Sequence, residues 1–391
     1  MKKFSYYEFF AGGGMARAGL GHGWECMFAN DFDSMKATTY EANWGKAHLV
    51  RADVAKLKTS QLPGKADLAW ASFPCQDLSL AGDYAGLGRA ASAVMTRSGT
   101  FWPFWALMKG LVAEGRAPRV IVLENVYGVL RSHGGKDFAA IGAAISSAGY
   151  KFGAVVVDAI RFVPQSRPRV FFVAVEAGAA IKSEMISVGP TTDWHPKALV
   201  EAYEGLSAAA KRKWMWWTLP VPSARNTELS DLIDDAPTGV KWHSQDETAR
   251  LLGMMSPLNK SKVESAKRSR RRIVGGVYKR TRLDGDGAKI QRAEVRFDGV
   301  AGCLRTPRGG SSRQTIVIVK GTSVRSRLLA PREAARLMGL DDNYQLPERY
   351  NDAYHVAGDG VSPPVVRHPA NCILEPLLIN QASLSNNLAA E

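Results

Sequence analysis

The chain has 391 residues, which at roughly 100–200 residues per domain suits two domains or a large one carrying an insertion. Apolar residues make up 46% and charged residues 23%, which excludes a wholly disordered, collagen-like or coiled-coil chain. The net charge of +14 is local, because residues 260–325 hold 18 basic and 5 acidic residues and the remainder is close to neutral.

Through residue 175, short β-branched or aromatic runs alternate with helical stretches. Strands are expected at 6–10, 25–29, 67–71, 120–123, 153–159 and 170–175, with another short one ahead of Asp53, and helices near 15–20, 34–42, 101–114 and 136–148. That rhythm predicts an α/β sheet covered by helices on both faces. It fails after 175, where a Trp-rich patch (Trp214, Trp216, Trp217), prolines and the basic run suggest a second, irregular domain. Core packing is the favoured role for the tryptophans, ahead of base stacking. A helical stretch at 331–340, then GDGVSPPVV and an apolar helix near 365–378, predict a return to the first domain. The expected division is 1–175, 176–340 and 341–391.

Four scattered cysteines (Cys26, Cys75, Cys303, Cys372), without CxxC or His/Cys spacing, indicate neither a disulfide framework nor a metal site. A reducing cytoplasm is expected. Neither a long apolar N-terminal region nor a run of eighteen apolar residues occurs, so secretion and membrane spanning are not expected.

Between the first strand and helix lies Phe10-Ala11-Gly12-Gly13-Gly14, where glycines permit a tight turn and close approach of a ligand to a helix N-terminus. Asp31 at the next strand end is placed to take ribose hydroxyls, Phe32 to cover an adenine, and Asp53-Val54 to meet its edge. Singly, Asp31 and Asp53 read better as helix N-caps than as cofactor ligands. Taken in order with the glycines they favour an adenosyl cofactor, and the lack of a GK[ST] phosphate loop disfavours ATP or GTP.

Cys75 follows the strand 68–71 in the turn Pro74-Cys75-Gln76, among polar neighbours and past a strand's carboxyl end, where open α/β sheets hold ligands. A cysteine attacks as its thiolate, so a catalytic role needs a donor-rich setting. Glu124 ends the apolar run 120–123 and reads about equally as a candidate acid or hydrogen-bond donor and as a helix-capping or salt-bridged glutamate. Arg167 and Arg169 stand two apart on an extended chain, so both are expected to point the same way as a fork for a carboxylate, carbonyl or phosphate.

In order and spacing, FxGxG, ND, DV, PCQ, ENV, QxRxR, PREAARLMG and GDGV resemble the C5-cytosine DNA methyltransferase family over about residues 6–175 and 325–368. The resemblance implies a Rossmann-like methyltransferase domain with a smaller, DNA-reading domain inserted, S-adenosylmethionine as cofactor, and duplex DNA as substrate. It implies that Cys75 adds to carbon 6 of a flipped cytosine, that Glu124 holds N3 and the amino group, that Arg167 clamps O2, and that Arg169 supports the loop. The cofactor residues it implies are Phe10, Gly12, Gly14, Asp31, Phe32, Asp53, Val54, Pro74, Phe101, Asp359 and Val361. Asp359 stands where the family usually has Asn, and Glu8 where Asp is commoner. One branch of the family methylates transfer RNA, and a catalytically silent DNA-binding relative is a further alternative. A monomer is expected, with a separate restriction endonuclease as a possible companion.

In the basic stretch, Gly, Ser, Thr and Gln interleave with the charges, which suits phosphate contacts and base-edge readout together. Lys267, Arg268, Arg270, Arg271, Arg272, Arg308, Arg313 and Gln314 are the expected DNA contacts.

Overall fold

The computed structural model describes residues 3–74, 97–283, 285–305 and 313–380. It divides into two compact units, one of Met1–Asp158, Pro168–Pro222 and Val361–Glu391, the other of Ala159–Arg167 and Ser223–Gly360.

The first unit runs β1 (Phe4–Phe9), α1 (Met15–Leu20), β2 (Trp24–Asp31), α2 (Ser34–Trp44), β3 (Leu49–Arg51), β4 (Leu68–Ala71), α3 (Phe101–Ala113), β5 (Val120–Val126), α4 (Lys136–Ser147), β6 (Tyr150–Asp158) and β7 (Pro168–Glu176). The strands form one sheet in the order β3-β2-β1-β4-β5-β7-β6, parallel from β3 to β5, with β7 antiparallel to both neighbours. Helices cover both faces, so the central strands read as unbroken apolar runs rather than as alternation. Within β1, Tyr7 and Phe9 pack toward α3, with Phe9 and Phe104 ring centroids 5.0 Å apart, while Tyr6 and Glu8 take the opposite face. A helix over Pro363–Pro369 completes the unit. It lies so close to α1 that a side chain at Gly19 would come within 2.6 Å of the Pro363 carbonyl oxygen.

Residues 176–222 belong to this unit, not to the second domain where the expected boundary had put them. Their elements are β8 (Ile186–Ser187), α5 (Lys197–Glu204), α6 (Ala208–Lys211) and β9 (Trp216–Trp217). The backbone N–H of Met215 donates to the Phe152 carbonyl at 2.7 Å, and the Trp217 indole to the Val173 carbonyl at 3.0 Å. These bonds fasten the tryptophan segment to β6 and β7, with Trp216 and Trp217 buried in the core.

The second unit is not irregular. After α7 (Gln245–Gly253) and α8 (Pro257–Arg268) come β10 (Arg272–Leu283), β11 (Lys289–Arg296), β12 (Thr315–Lys320) and β13 (Ser323–Leu328), an antiparallel sheet in the order β11-β10-β12-β13. Val277, Ala293, Val295, Val317 and Val319 pack against Leu251, Met255, Val263 and Ala266. Arginines and lysines on the solvated half of β10 mask its period-2 pattern, so the strand was not expected. The chain continues through α9 (Pro331–Leu337) and α10 (Tyr350–Asp359). In PREAARL, Pro331 takes the first helical position, and Glu333 reaches back to the Ala330 N–H at 2.8 Å while pairing with fully buried Arg327.

Candidate active site

Parallel β1 to β5 bring the segments after their carboxyl ends to one side of the sheet. Since β7 is antiparallel, its first residues join them, with Arg169 opposite Val126 in register. This is where open α/β sheets bind ligands.

On the β1–β3 side the chain turns through Phe10 (φ 57°), Gly12 (φ 56°) and Gly14 (φ 77°). A left-handed backbone is uncommon for phenylalanine, so the loop is held by its surroundings. One tie is Asp31, buried, which accepts from Gly12 N–H at 2.8 Å and from Asp33 N–H at 2.9 Å. Asp31 is therefore no helix cap; Asp33 caps α2. Burial pushes the Asp31 carboxyl pKa up. A second tie is the Trp44 indole, which donates to the Gly13 carbonyl at 3.2 Å and occupies the space that a side chain at Gly14 would need. A side chain at Gly12 would meet nothing within 4 Å, so this glycine leaves open space above the loop.

Phe32 is 72% exposed beside Asp31, and exposed Asp53 gives one oxygen to Ala55 N–H at 2.9 Å as a cap, above buried Val54. An open glycine cradle, a neighbouring carboxylate and an exposed aromatic fit an adenosyl group. Phe101 does not join them. It is fully buried, with its ring 5.5 Å from Phe73 and stacked on Trp105, so it backs the turn after β4 instead of facing a ligand. Pro74 is half-buried and Val361 buried. Asp359, at the end of α10, is exposed.

Behind the glycine loop, Glu8 is buried. Burial pushes its pKa up to about 8 against the opposing field of Arg17. Arg17 donates to the Tyr40 hydroxyl at 2.9 Å. The folded chain holds the Glu8 proton up to about pH 8, whereas the unfolded chain releases it near the ordinary carboxyl value, so this group costs stability as pH rises between those limits. Glu8→Gln is expected to gain stability over the native chain across that window by roughly 1.4 kcal/mol per pH unit, and to gain no more above it. Denaturant melts at pH 5, 6.5 and 8 check this, and an equal difference at all three contradicts it.

On the β4–β7 side, the Asn125 side chain donates to the Phe73 carbonyl at 3.2 Å, tying the end of β5 to the turn that leads to Cys75. Cys75 itself lies outside the described residues. Glu124, buried, has one oxygen 3.0 Å from Arg169 Nε, and Arg169 Nη1 donates to the Pro168 carbonyl at 3.1 Å.

Arg167 does not share that site, contrary to the expectation that it clamps and Arg169 supports. Its buried guanidinium donates to the carbonyls of Leu304 (3.0 Å), Gly358 (2.7 Å) and Gly360 (2.8 Å) and lies 3.2 Å from Cys303 Sγ. Side chains two apart share a direction only within one strand, and β7 begins at Pro168, so Arg167 falls outside the pleat. The preceding Gln165 is equally internal, donating to the Leu337 carbonyl at 2.8 Å and accepting from Leu304 N–H.

The basic residues divide as well. Arg270 and Arg271 are exposed in the turn before β10. Lys267 pairs with Glu264, and Arg268 donates to Ser265 on the last turns of α8. Arg272 is a structural clasp, bound to Asp235 and to the carbonyls of Ser230 and Ile233. Gln314 is buried and donates to the carbonyls of Val277 and Thr315, which removes it as a base reader. Arg313 donates to Asn351 at 2.6 Å beneath the Tyr350 ring. Arg308 lies outside the described residues. Among the described residues no cluster of three metal-ligating side chains occurs, and no helix is long and apolar enough to cross a membrane.

Similar curated proteins include "Type II methyltransferase M.HpaII" of Haemophilus parainfluenzae, 24% identical over 96% of this chain and 90% of its own, and "Type II methyltransferase M.BsuFI" of Bacillus subtilis, 24% identical over 96% and 74%. Among solved structures, the S. pombe Dnmt2 methyltransferase shares the fold with TM-score 0.58 at 15% identity, covering 96% of this chain and 99% of its own. A putative DNA modification methyltransferase encoded within an E. coli prophage does so with TM-score 0.57 at 16% identity, covering 96% and 99%. The family model for C-5 cytosine-specific DNA methylase matches residues 4–375. The chain belongs to that family, as an S-adenosylmethionine-dependent DNA cytosine-5 methyltransferase.

Proposed function

We propose that the protein methylates carbon 5 of a cytosine flipped out of a specific duplex DNA site, through a transient bond between Cys75 and carbon 6. The observation that carries this is the buried Glu124–Arg169 pair at the same sheet end as the turn into Cys75. Carbon 5 of cytosine is too weak a nucleophile to take a methyl group unaided. Addition of the Cys75 thiolate to carbon 6, with a proton delivered to N3 by Glu124, makes carbon 5 enamine-like. Arg169, its Nε held by Glu124 and its Nη1 by the Pro168 carbonyl, turns its guanidinium charge toward O2, where negative charge collects during the addition. S-adenosylmethionine supplies an electrophilic methyl group. Loss of the carbon 5 proton to water, departure of the Cys75 thiolate and return of the N3 proton to Glu124 restore the ring and the enzyme.

Phe10, Gly12, Gly14, Asp31, Phe32, Asp53 and Val54 hold the cofactor. Ionised, Asp31 accepts from ribose hydroxyls more strongly and at more sites than when protonated, since both its oxygens already take backbone N–H groups, and burial raises its pKa. Cofactor affinity is therefore expected to fall on acidification from a pH above the ordinary aspartate range. Asp31→Asn should bind about tenfold more weakly at neutral pH and lose that pH dependence; calorimetric titration from pH 5 to 8 checks both.

Relatives named as Type II methyltransferases support a modification role beside a separate restriction endonuclease. We further propose that the protein acts as a monomer in the cytoplasm. Mapping methylated cytosines in DNA from cells expressing the chain tests the function. One short motif is expected to carry the mark, and to lose it in Cys75→Ala; unmarked DNA would refute the reading.

A further inference from the structure

β12 pairs with β10 only from Arg272 to Val277, whereas β11 continues alongside β10 to Leu283. Beyond Ala293, which is still buried against Met255, residues 280–283 and 289–292 therefore project past the sheet as a two-stranded ribbon about 13 Å long. A free two-stranded hairpin is marginally stable in water, and this one carries an added cost. Arg280 stands directly opposite Arg292, a like-charge pair that weakens a ladder. Arg282 shares their face, so three arginines stand on a face with one carboxylate, Glu294, which lies 3.4 Å from Arg280 and also pairs with Arg282. No ion pair to Arg292 occurs among the described residues. A cleft of ≈ 270 Å³, lined by Ser256, Asn259, Arg282, Arg292, Ala293 and Glu294, leaves two of these arginines beside open space. The alternate face carries Thr281 opposite Gln291, both exposed and neutral, between Lys279 on one side and Leu283 opposite Lys289 on the other.

We propose that this ribbon enters the major groove of the target duplex with its arginine face on the base edges, and that Arg280 and Arg292 read guanine. The proposal rests on duplex DNA being the substrate. A polyanion relieves the repulsion that the free protein tolerates. The major groove, about 12 Å wide, admits a two-stranded ribbon, and arginine to guanine O6 and N7 is the commonest specific contact there. Glu294 orients Arg280 and Arg282 before DNA arrives, which lowers the entropy cost of binding.

The test is methylation of a randomised duplex library by the native chain, Arg280→Gln and Arg292→Gln, beside cofactor affinity and melting temperature for each. The native chain is expected to mark one motif. Each variant should keep cofactor affinity and fold, while losing discrimination at a guanine position by about 10- to 100-fold. Unchanged preference in both variants overturns the proposal. So does a uniform loss on all sequences with a shallower salt dependence, which would make the arginines phosphate contacts only. A native chain that marks no duplex overturns the substrate assignment and the ribbon's role with it.

Discussion

Lysine at Arg169 is expected to lower kcat by about 10²- to 10³-fold with little change in melting temperature, and lysine at Arg167 to do the opposite. At position 169 a lysine keeps a donor beside Glu124, so the buried carboxyl group is not left without a partner. A single ammonium cannot hold Glu124 and also present a donor to cytosine O2, which the planar guanidinium does through different nitrogens. At position 167 the guanidinium binds the carbonyls of residues 304, 358 and 360. An ammonium on a shorter reach leaves at least one of these buried acceptors unpaired, at about 1–3 kcal/mol each. Activity of the Arg167 variant should stay near native when assayed cold. Thermal melts and single-turnover methylation of both variants decide it, and equal loss of kcat with equal stability would contradict the division of labour.

Glutamine at Glu124 is the second change of large effect. The amide preserves the shape of the group and its contact to Arg169 but has no proton to give N3. A positioned general acid is worth about 10²–10⁴ in rate, and a loss in that range is expected with DNA affinity retained. Because proton delivery accompanies thiolate attack, covalent capture of DNA should slow by the same factor as methyl transfer. Capture at the native rate with slow methyl transfer would place Glu124 in a later step.

Much of the first unit was legible because its strands are apolar on both faces and its helices follow at short intervals. The glycine loop, Asp31, Glu124 and the turn into Cys75 each sit where a strand ends, and strand ends show in sequence. What a side chain bonds to across a hundred or more residues does not show. Arg167 and Arg169 look interchangeable in QSRPR, and only the start of β7 at Pro168 separates one bound to residues 304–360 from one bound to Glu124. Gln314 stands in a polar, basic run and is nevertheless buried, because Val277 of β10 brings a carbonyl to it. Phe101 looks like a pocket aromatic by position but packs on Phe73 and Trp105. The sheet of the second unit was hidden for the converse reason: β10 is buried through Val277 and then solvated, so one strand carries two patterns.

The central claim is that Cys75 is the nucleophile of a cytosine methyl transfer. Duplex DNA with 5-fluorocytosine at the target position tests it most directly, because fluorine cannot leave carbon 5 as a proton does and the adduct stalls after methylation. With S-adenosylmethionine present, a denaturation-resistant protein–DNA complex is expected, with the cross-link mapping to Cys75 and absent in Cys75→Ser. No complex on any duplex, or one that persists in Cys75→Ser, would contradict it.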